Sequence, residues 1–388
     1  MAILFSILIF ICALSATEAM LHFTPFKSKL KQIILPPFYL KNDPQAGFDL
    51  SENFPATPHR IADGFTYRTW TNSIGCFDKS YHSQENYILL IGDSFVWGYL
   101  NFENKFGTLL EKKLKQRVVQ AGVIGYGTKQ EYFKLKKILR LTQKKPALVV
   151  LGYCLANDFI DDFLFPRQVI IEGYPIQSVR FTRGGEWKKE TISLPVLNTE
   201  LNRWRKNELA YKNSMRGRAI NWLRENIIIY CLTEKLFLKL KNLVFPLEPA
   251  ADEQFATFEE IQSLGYLPTN AWQEHLESLS KIQALCLQNN IPLLIVLIPS
   301  QEQIYTPSAV KLSETISTTL EIYLQNRGIN YLNLKPEFQN FIRKHQGRIF
   351  CAQPLLYWQN DRHWNKNGQE IAATLTVDYI LKNKLLSN

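Results

Sequence analysis

The stretch YILLIGDSF, residues 87–95, decides the fold of this 388-residue chain. Its first five residues form a continuous apolar run, which is the pattern of a strand buried on both faces of a parallel sheet. Gly92 ends the run, and the polar residues Asp93 and Ser94 follow it directly. Parallel sheets bind their ligands at the carboxyl ends of their strands. The stretch therefore predicts an α/β protein with Ser94 at its functional edge.

The same alternation of strand and helix continues toward the C-terminus. Four further apolar runs predict strands over residues 118–122, 147–151, 292–298 and 329–334. Apolar residues at helical spacing predict helices over residues 106–114, 128–141, 272–287 and 368–385. Thr128, followed three residues later by Glu131, has the pattern of an N-terminal capping box. Together these elements predict a five-stranded parallel sheet with helices on both faces.

The length suits one large α/β domain with additions rather than several small domains. We expect residues 86–388 to form this domain. Residues 20–85 are rich in proline and aromatic residues, which predicts an irregular and partly β segment packed on the core. Residues 159–269 interrupt the alternation after the third strand and are predicted to be an insertion.

Most of the positive charge lies inside this insertion. Residues 203–241 contain 10 Lys or Arg and 3 Glu, in a chain whose net charge is +10. Apolar residues recur there at near-helical spacing, which predicts a lid helix with a solvated basic side. Contact with an anionic membrane surface is the alternative. Nucleic acid is not an expected partner, because no binding motif accompanies the charge.

The N-terminal end is almost wholly apolar from residue 2 to residue 16. This length suits the apolar part of a signal peptide, and Ala19 provides a small residue for cleavage. We expect residues 1–19 to be a signal peptide or an N-terminal anchor, and the protein to be extracytoplasmic: secreted, periplasmic or anchored. An apolar helix docked on the protein is the alternative.

The composition limits the other classes of function. Hydrophobic residues make up 46% of the chain and charged residues 21%, as in a packed globular protein. The 6 cysteines include no CxxC pair, and no HExxH is present, so no metal site is predicted.

Polar or glycine-rich clusters follow the predicted strands and precede the last helix, and they could assemble an acyl-transfer site. Ser94 would be the nucleophile, His363 the base that accepts its proton, and Asp361 the carboxylate that orients the imidazole. An oxyanion needs fixed hydrogen-bond donors. The backbone N–H groups of Ser94 and Gly125 and the side-chain amide of Asn157 are the predicted donors.

Two aromatic residues lie close to these clusters in the sequence. Trp97 and Tyr126 are therefore predicted to contact the substrate by lining its acyl pocket.

This set of motifs resembles the SGNH/GDSL hydrolase superfamily, whose four blocks are named for Ser, Gly, Asn and His. Residues 92–95 (GDSF) resemble the first block, and Gly125 lies where the second-block glycine does. Asn157 and the pair Asp361 and His363 match the third and fourth blocks. The resemblance implies a flavodoxin-like three-layer α/β/α sandwich with sheet order 2-1-3-4-5. It also implies a serine hydrolase that needs no cofactor.

The sequence departs from the family pattern at two positions. Only Arg362 separates Asp361 from His363, where the family commonly has two residues, and Leu155 stands where the third block has glycine. The shorter Asp-x-His-Trp form is similar to that of a bacterial branch that includes polysaccharide O-acetyltransferase-like proteins.

From the residues and the resemblance we expect an esterase that cleaves a small-molecule, lipid or glycan acyl ester. An O-acetyltransferase acting on a cell-surface polysaccharide is one alternative. A catalytically inactive surface-binding module on the same scaffold is the other. The sequence does not distinguish the acyl length or the oligomeric state.

Overall fold

The computed structural model describes residues 2–82, 86–184, 186–244, 255–345 and 355–386. The chain forms two compact units. Unit 1 comprises residues 1–35, 58–67 and 198–251, and unit 2 comprises residues 36–57, 68–197 and 252–388. Unit 1 thus combines the N-terminal segment with part of the predicted insertion.

The strands of the described residues are numbered in chain order. They are β1 (Leu40–Asp43), β2 (Gly47–Leu50), β3 (Thr57–Arg60), β4 (Thr66–Thr69), β5 (Tyr87–Gly92), β6 (Arg117–Gly122), β7 (Leu148–Cys154), β8 (Gln168–Ile171), β9 (Tyr174–Gln177), β10 (Val179–Phe181), β11 (Lys189–Thr191), β12 (Leu293–Ile298) and β13 (Asn330–Asn333).

The α-helices are numbered in the same way. They are α1 (Ala2–Leu21), α2 (Ser94–Trp97), α3 (Phe106–Leu114), α4 (Thr128–Leu141), α5 (Asp158–Phe163), α6 (Leu194–Asn213), α7 (Met215–Asn226), α8 (Ile228–Val244), α9 (Phe258–Ser263), α10 (Thr269–Gln288), α11 (Gln301–Tyr305), α12 (Lys311–Asn326), α13 (Lys335–His345) and α14 (Lys366–Lys382).

Unit 2 is built on a five-stranded sheet with the order β6-β5-β7-β12-β13. The paired strands are parallel. In chain order this is 2-1-3-4-5, so the predicted flavodoxin-like fold is confirmed. The five predicted strands and the four predicted helices are present, with bounds that differ by a few residues.

Both faces of the sheet are covered, because successive side chains of a strand point to opposite faces. In β5, Leu89 and Ile91 pack in one apolar cluster with residues of α4, α10 and α12. Ile88 and Leu90 pack in a second cluster with residues of α3, α13 and α14. The sheet is therefore the middle layer of an α/β/α sandwich.

The start of α4 differs from its prediction. The helix begins at Thr128 itself, and Gly127 is the N-cap residue. The side chain of Gln130 accepts the backbone N–H of Gly127, which is the capping bond expected of Glu131. Glu131 is buried instead. The helix begins one residue too early for Thr128 to be its N-cap.

The part of the insertion in unit 2 contains two antiparallel hairpins. One pairs β8 with β9, and the other pairs β10 with β11. Gly184 lies between the two strands of the second hairpin, and residue 185 lies outside the described residues.

Candidate active site

The nucleophile candidate Ser94 is the first residue of the short helix α2, directly after β5. Asp93 is the N-cap of this helix, and its Oδ1 accepts the backbone N–H of Phe95 at 2.8 Å. The cap places the Ser94 hydroxyl at the carboxyl edge of the sheet.

Three glycines in register make room for α2. Gly92 of β5 lies opposite Gly122 of β6 and Gly152 of β7. A Cβ on Gly92 or Gly152 would lie within 2.6 Å of the side chain of Val96, and one on Gly122 would lie 2.4 Å from the backbone N of Trp97. Glycine at these three positions therefore lets α2 lie directly against the strand ends.

The structure brings the three predicted catalytic side chains together. Ser94 Oγ lies 2.8 Å from Nε2 of His363, and Nδ1 of His363 lies 2.7 Å from Oδ1 of Asp361. Ser94 is buried, whereas His363 and Asp361 keep part of their surface exposed. This is the arrangement in which a base takes the hydroxyl proton and a carboxylate orients the base.

The loop that carries His363 is held on both sides. The N–H of Trp358 bonds the carbonyl of His363 at 2.8 Å, and the buried Trp364 packs against Phe95. Asn365 then caps α14. His363 is consequently fixed relative to α2, and its ring contacts Phe95 with a centroid distance of 4.9 Å.

A left-handed residue accommodates the short spacing between the acid and the base. Arg362 has φ +70°, a conformation that L-residues other than glycine seldom adopt. With this turn, one intervening residue is enough for the carboxyl of Asp361 to reach Nδ1 of His363. Arg362 also pairs with Glu259 and Glu302 at 3.3 and 3.2 Å.

Of the predicted oxyanion donors, the side chain of Asn157 lies close to Ser94. Gly125 has φ +78°, so its loop requires the conformational freedom of glycine. Nδ2 of Asn157 donates to Oδ2 of Asp93 at 3.2 Å, and the hydroxyl of Ser94 lies 3.3 Å from the same oxygen. The amide of Asn157 is thus separated from the nucleophile by one carboxyl oxygen.

Sequence reasoning missed a hydrogen-bonded chain behind Asn157 that consists of the buried Asp161 and the partly exposed Arg167. Its Nδ2 also donates to Asp161 at 2.9 Å, and Nη1 of Arg167 bonds the other oxygen of Asp161 at 2.5 Å. Burial raises the pKa of Asp161, while the Arg167 guanidinium opposes this. The spacing of Asp161, four residues after Asn157 on one helix, was the signal in the sequence.

Further carboxyl groups lie beneath the site. Burial raises the pKa of Asp93 to about 6. Burial also raises the pKa of Glu131 and Asp158 well above the ordinary range, and repulsion from neighbouring carboxyl groups adds to both shifts. Burial therefore favours the neutral form of both carboxyl groups.

Trp97 and Tyr126 do not lie where the sequence suggested. Both are fully buried. Tyr126 donates its hydroxyl to the carbonyl of Phe48 at 2.7 Å, and Trp97 packs against Tyr39 and Phe77. Neither side chain lines an open pocket here, because each is enclosed by the segment before β5, whose packing the local sequence did not reveal.

An open groove begins instead at Asn157. Its volume is about 370 Å³, and it combines an apolar wall with arginines. The lining includes Asn157, Arg167, Arg180, Arg183, Phe258 and Ile261. The hairpins of the insertion therefore build the surface next to the predicted oxyanion donor.

A second histidine–carboxylate pair lies in the core of unit 2. His275 Nδ1 lies 2.8 Å from Asp162 Oδ2, and its Nε2 lies 2.9 Å from the hydroxyl of Tyr153. The His275 and Tyr153 side chains are buried. Within the described residues, no group of three or more His, Cys, Asp or Glu is arranged to hold a metal ion.

Comparison with known proteins gave matches among solved structures. No protein-family model matches the chain, and no curated protein matches it. A member of the lipolytic G-D-S-L family from Veillonella parvula is similar over 75% of this chain and 96% of its own, at 9% identity and a TM-score of 0.36. G-D-S-L is the family that the sequence resembles.

Two enzymes are similar over comparable lengths. A lipase/acylhydrolase from Enterococcus faecalis matches 77% of this chain and 96% of its own, at 11% identity and a TM-score of 0.35. An acetyl xylan esterase matches 76% of this chain and 99% of its own, at 11% identity and a TM-score of 0.38.

Proposed function

We propose that this protein is a serine hydrolase of the SGNH/GDSL type, which cleaves carboxylic esters through an acyl-enzyme. The observation that carries the proposal is the relay of Ser94, His363 and Asp361, with contacts of 2.8 and 2.7 Å at the carboxyl edge of a parallel sheet. Ser94 and His363 are 269 residues apart in the sequence, so no local structural need explains the contact between them.

In the first half-reaction, Nε2 of His363 accepts the proton of Ser94 as Oγ attacks the ester carbonyl. Asp361 stabilises the imidazolium that forms. His363 then gives the proton to the leaving alkoxide as the C–O bond breaks, which leaves the acyl group on Ser94. A water molecule, deprotonated by His363, attacks this acyl-enzyme and releases the carboxylic acid and the free serine.

The tetrahedral intermediates require hydrogen-bond donors for their oxyanion. The backbone N–H groups of Ser94 and Gly125 and Nδ2 of Asn157 are the proposed donors. Asn157 would keep its bond to Asp161 and exchange its longer bond to Asp93 for the oxyanion. Loss of one such donor typically lowers turnover about 10²–10³-fold.

The groove beside Asn157 is the proposed position for the rest of the ester. Its apolar wall suits an acyl chain or a sugar face, and its arginines suit an anionic substituent.

Transfer to a glycan hydroxyl is the alternative outcome of the same acyl-enzyme. It differs only in the acceptor that replaces water, so the products of an acyl donor mixed with candidate glycans distinguish the two reactions. A catalytically inactive binding module is the second alternative, and it predicts that Ser94 reacts with no serine-directed probe.

The test is Ser94→Ala, assayed with 4-nitrophenyl acetate and with a fluorophosphonate probe. We expect the substitution to abolish both hydrolysis and labelling, because it removes the hydroxyl that lies 2.8 Å from Nε2 of His363. Ser73→Ala, which changes an exposed serine of unit 2, is the matched control and should keep both. Full activity or full labelling of Ser94→Ala would refute the assignment.

A further inference from the structure

Unit 1 exposes an unusual amount of apolar surface. The described side chains of α1 from residue 5 to residue 17 are all exposed, and the large ones are Phe5, Ile7, Leu8, Ile9, Phe10, Ile11 and Leu14. Phe5 and Phe10 each expose more than 60% of their surface. Water solvates such a surface poorly, and contiguous patches of this kind mark sites of protein or membrane contact.

Helix α8 exposes a second apolar surface in the same unit. Residues 235–240 are all exposed, and they include Leu236, Phe237 and Leu240, which share one side of the helix. Lys235 and Lys239, four residues apart, lie on another side. Apolar and basic sides on one helix are typical of a helix that lies in a membrane interface.

The C-terminal end of α1 is built into the fold of unit 1 through α8. Glu18 accepts the backbone N–H groups of Ile228 at 2.6 Å and of Ile229 at 3.0 Å. A helix N-terminus has N–H groups without intrahelical partners, so Glu18 caps α8 from a distance. Leu21 packs in the small apolar cluster that contains Ile228 and Cys231. Cleavage after Ala19 would remove this cap.

The charge of unit 1 matches an anionic surface. Its residues include 14 Lys or Arg and 7 Asp or Glu, a net charge of +7. Lys27, Lys29 and Lys31 follow α1 closely in the sequence. Lys235 on α8 donates to the backbone carbonyl of Lys29 at 3.3 Å, so its ammonium group lies next to the segment that contains these three lysines. Basic groups next to apolar helices are attracted to anionic lipid headgroups.

We infer that unit 1 is a membrane-binding module and that α1 stays in the mature protein. The apolar side chains of α1 and of residues 236–240 enter the boundary between headgroups and acyl chains, and the lysines contact anionic phospholipids. Among the described residues, no helix combines the length and the apolar character needed to cross a membrane. The inference is independent of the proposed esterase activity.

The first test is flotation of the full chain with phosphatidylcholine vesicles, with and without phosphatidylglycerol. We expect binding that increases with phosphatidylglycerol and decreases with salt. The double variant Leu236→Glu/Phe237→Glu should lower binding about tenfold. Leu287→Glu is the matched control, because Leu287 is as exposed as Phe237 but belongs to unit 2. Circular dichroism establishes that both variants fold.

Three results would overturn the inference. The first is equal binding of the double variant and the control. The second is no binding of the native chain to vesicles. The third is self-association of the native chain that disappears in the double variant without any binding to vesicles, because the apolar surface would then serve an oligomer.

The second test is the intact mass of the protein purified from cells that export it. A mature chain that still contains residues 2–19 supports the retained helix. A chain that begins at Met20 would show that α1 is a cleaved signal peptide.

Discussion

The two carboxyl oxygens of Asp93 make different contacts, and their charge affects the proposed nucleophile Ser94. One carboxyl oxygen caps α2, and the other lies within 3.3 Å of both the Ser94 hydroxyl and the Asn157 amide. Burial raises the pKa of Asp93 to about 6, so at neutral pH the carboxylate is charged in a place that disfavours charge. The structure thus places an energetic cost beside its reactive group.

The first residue-scale prediction follows from that pKa. A carboxyl whose pKa is higher in the folded state than its ordinary value of about 4 favours folding at low pH, and this contribution is lost as the pH rises through 6. Asp93→Asn removes the titration. The free energy of unfolding of the variant relative to the native protein should therefore increase between pH 4.5 and pH 8, by up to about 3 kcal/mol.

Denaturant unfolding at the two pH values measures this difference. Parallel pH dependence of Asp93→Asn and the native protein would contradict the pKa shift.

At the scale of elements, the contact between α2 and the sheet depends on the glycine row at the ends of β5, β6 and β7. The three glycines let α2 pack closely against the strand ends directly after β5, and this packing positions Ser94 at the carboxyl edge of the sheet. Each glycine is separated from the others by more than 25 residues in the sequence. Their shared function is visible only when the register places them side by side.

The glycine row predicts a rescue experiment. In Gly152→Ala the new Cβ would lie 2.6 Å from Cγ2 of Val96. Overpacking of this kind costs about 1–3 kcal/mol, and here it would displace α2 and lower the hydrolysis of 4-nitrophenyl acetate. Val96→Ala in the same chain removes the clashing methyl groups and should restore much of the activity. No gain in the double variant would mean that Val96 is not the obstacle.

The groove lined by residues of α5, β9, β10 and α9 predicts a preference between esters. Arg180 lies over the Phe255 ring at 4.8 Å and lines the groove. Arg180→Gln should lower kcat/KM about fivefold for 4-nitrophenyl hydrogen succinate, which is anionic, and little for 4-nitrophenyl acetate. Arg140→Gln, a change on the exposed end of α4, is the control. Equal losses for the two esters would place the substrate elsewhere.

At the scale of the whole molecule, the chain divides into two compact units, and we have proposed a different role for each. Unit 2 contains the sheet with Ser94, His363 and Asp361. Unit 1 contains the exposed apolar helices α1 and α8 and has a net charge of +7, in a chain whose net charge is +10. Local unfolding free energies differ across such a chain. A substitution that destabilises one unit should therefore speed hydrogen exchange in that unit before it affects the other.

Glu18→Ala tests this division. The variant removes the acceptor for two N–H groups at the start of α8, which should cost about 1 kcal/mol in unit 1. Hydrogen exchange around residues 228–232 should become about fivefold faster, while exchange in the sheet strands stays the same. Glu370→Ala, on an exposed position of α14, is the control. Faster exchange in both units would show that they unfold together.

The sequence by itself determined the elements of the sheet and the composition of the site. Apolar runs and helical spacing are local patterns, and they placed β5, β6, β7, β12 and β13 within a few residues. Strand ends of a parallel sheet meet at one edge, so Ser94, Asn157 and His363 could be expected together before any coordinates were considered.

Only the tertiary structure decided how these groups are held. The left-handed turn at Arg362 depends on backbone angles. The bond of Asn157 to Asp93 and the cap of α8 by Glu18 depend on contacts between distant parts of the chain. Trp97 and Tyr126 became core residues for the same reason, because a remote segment covers them. Local periodicity reports which face of an element is apolar, whereas the partner that covers it is chosen by the packing of the whole chain.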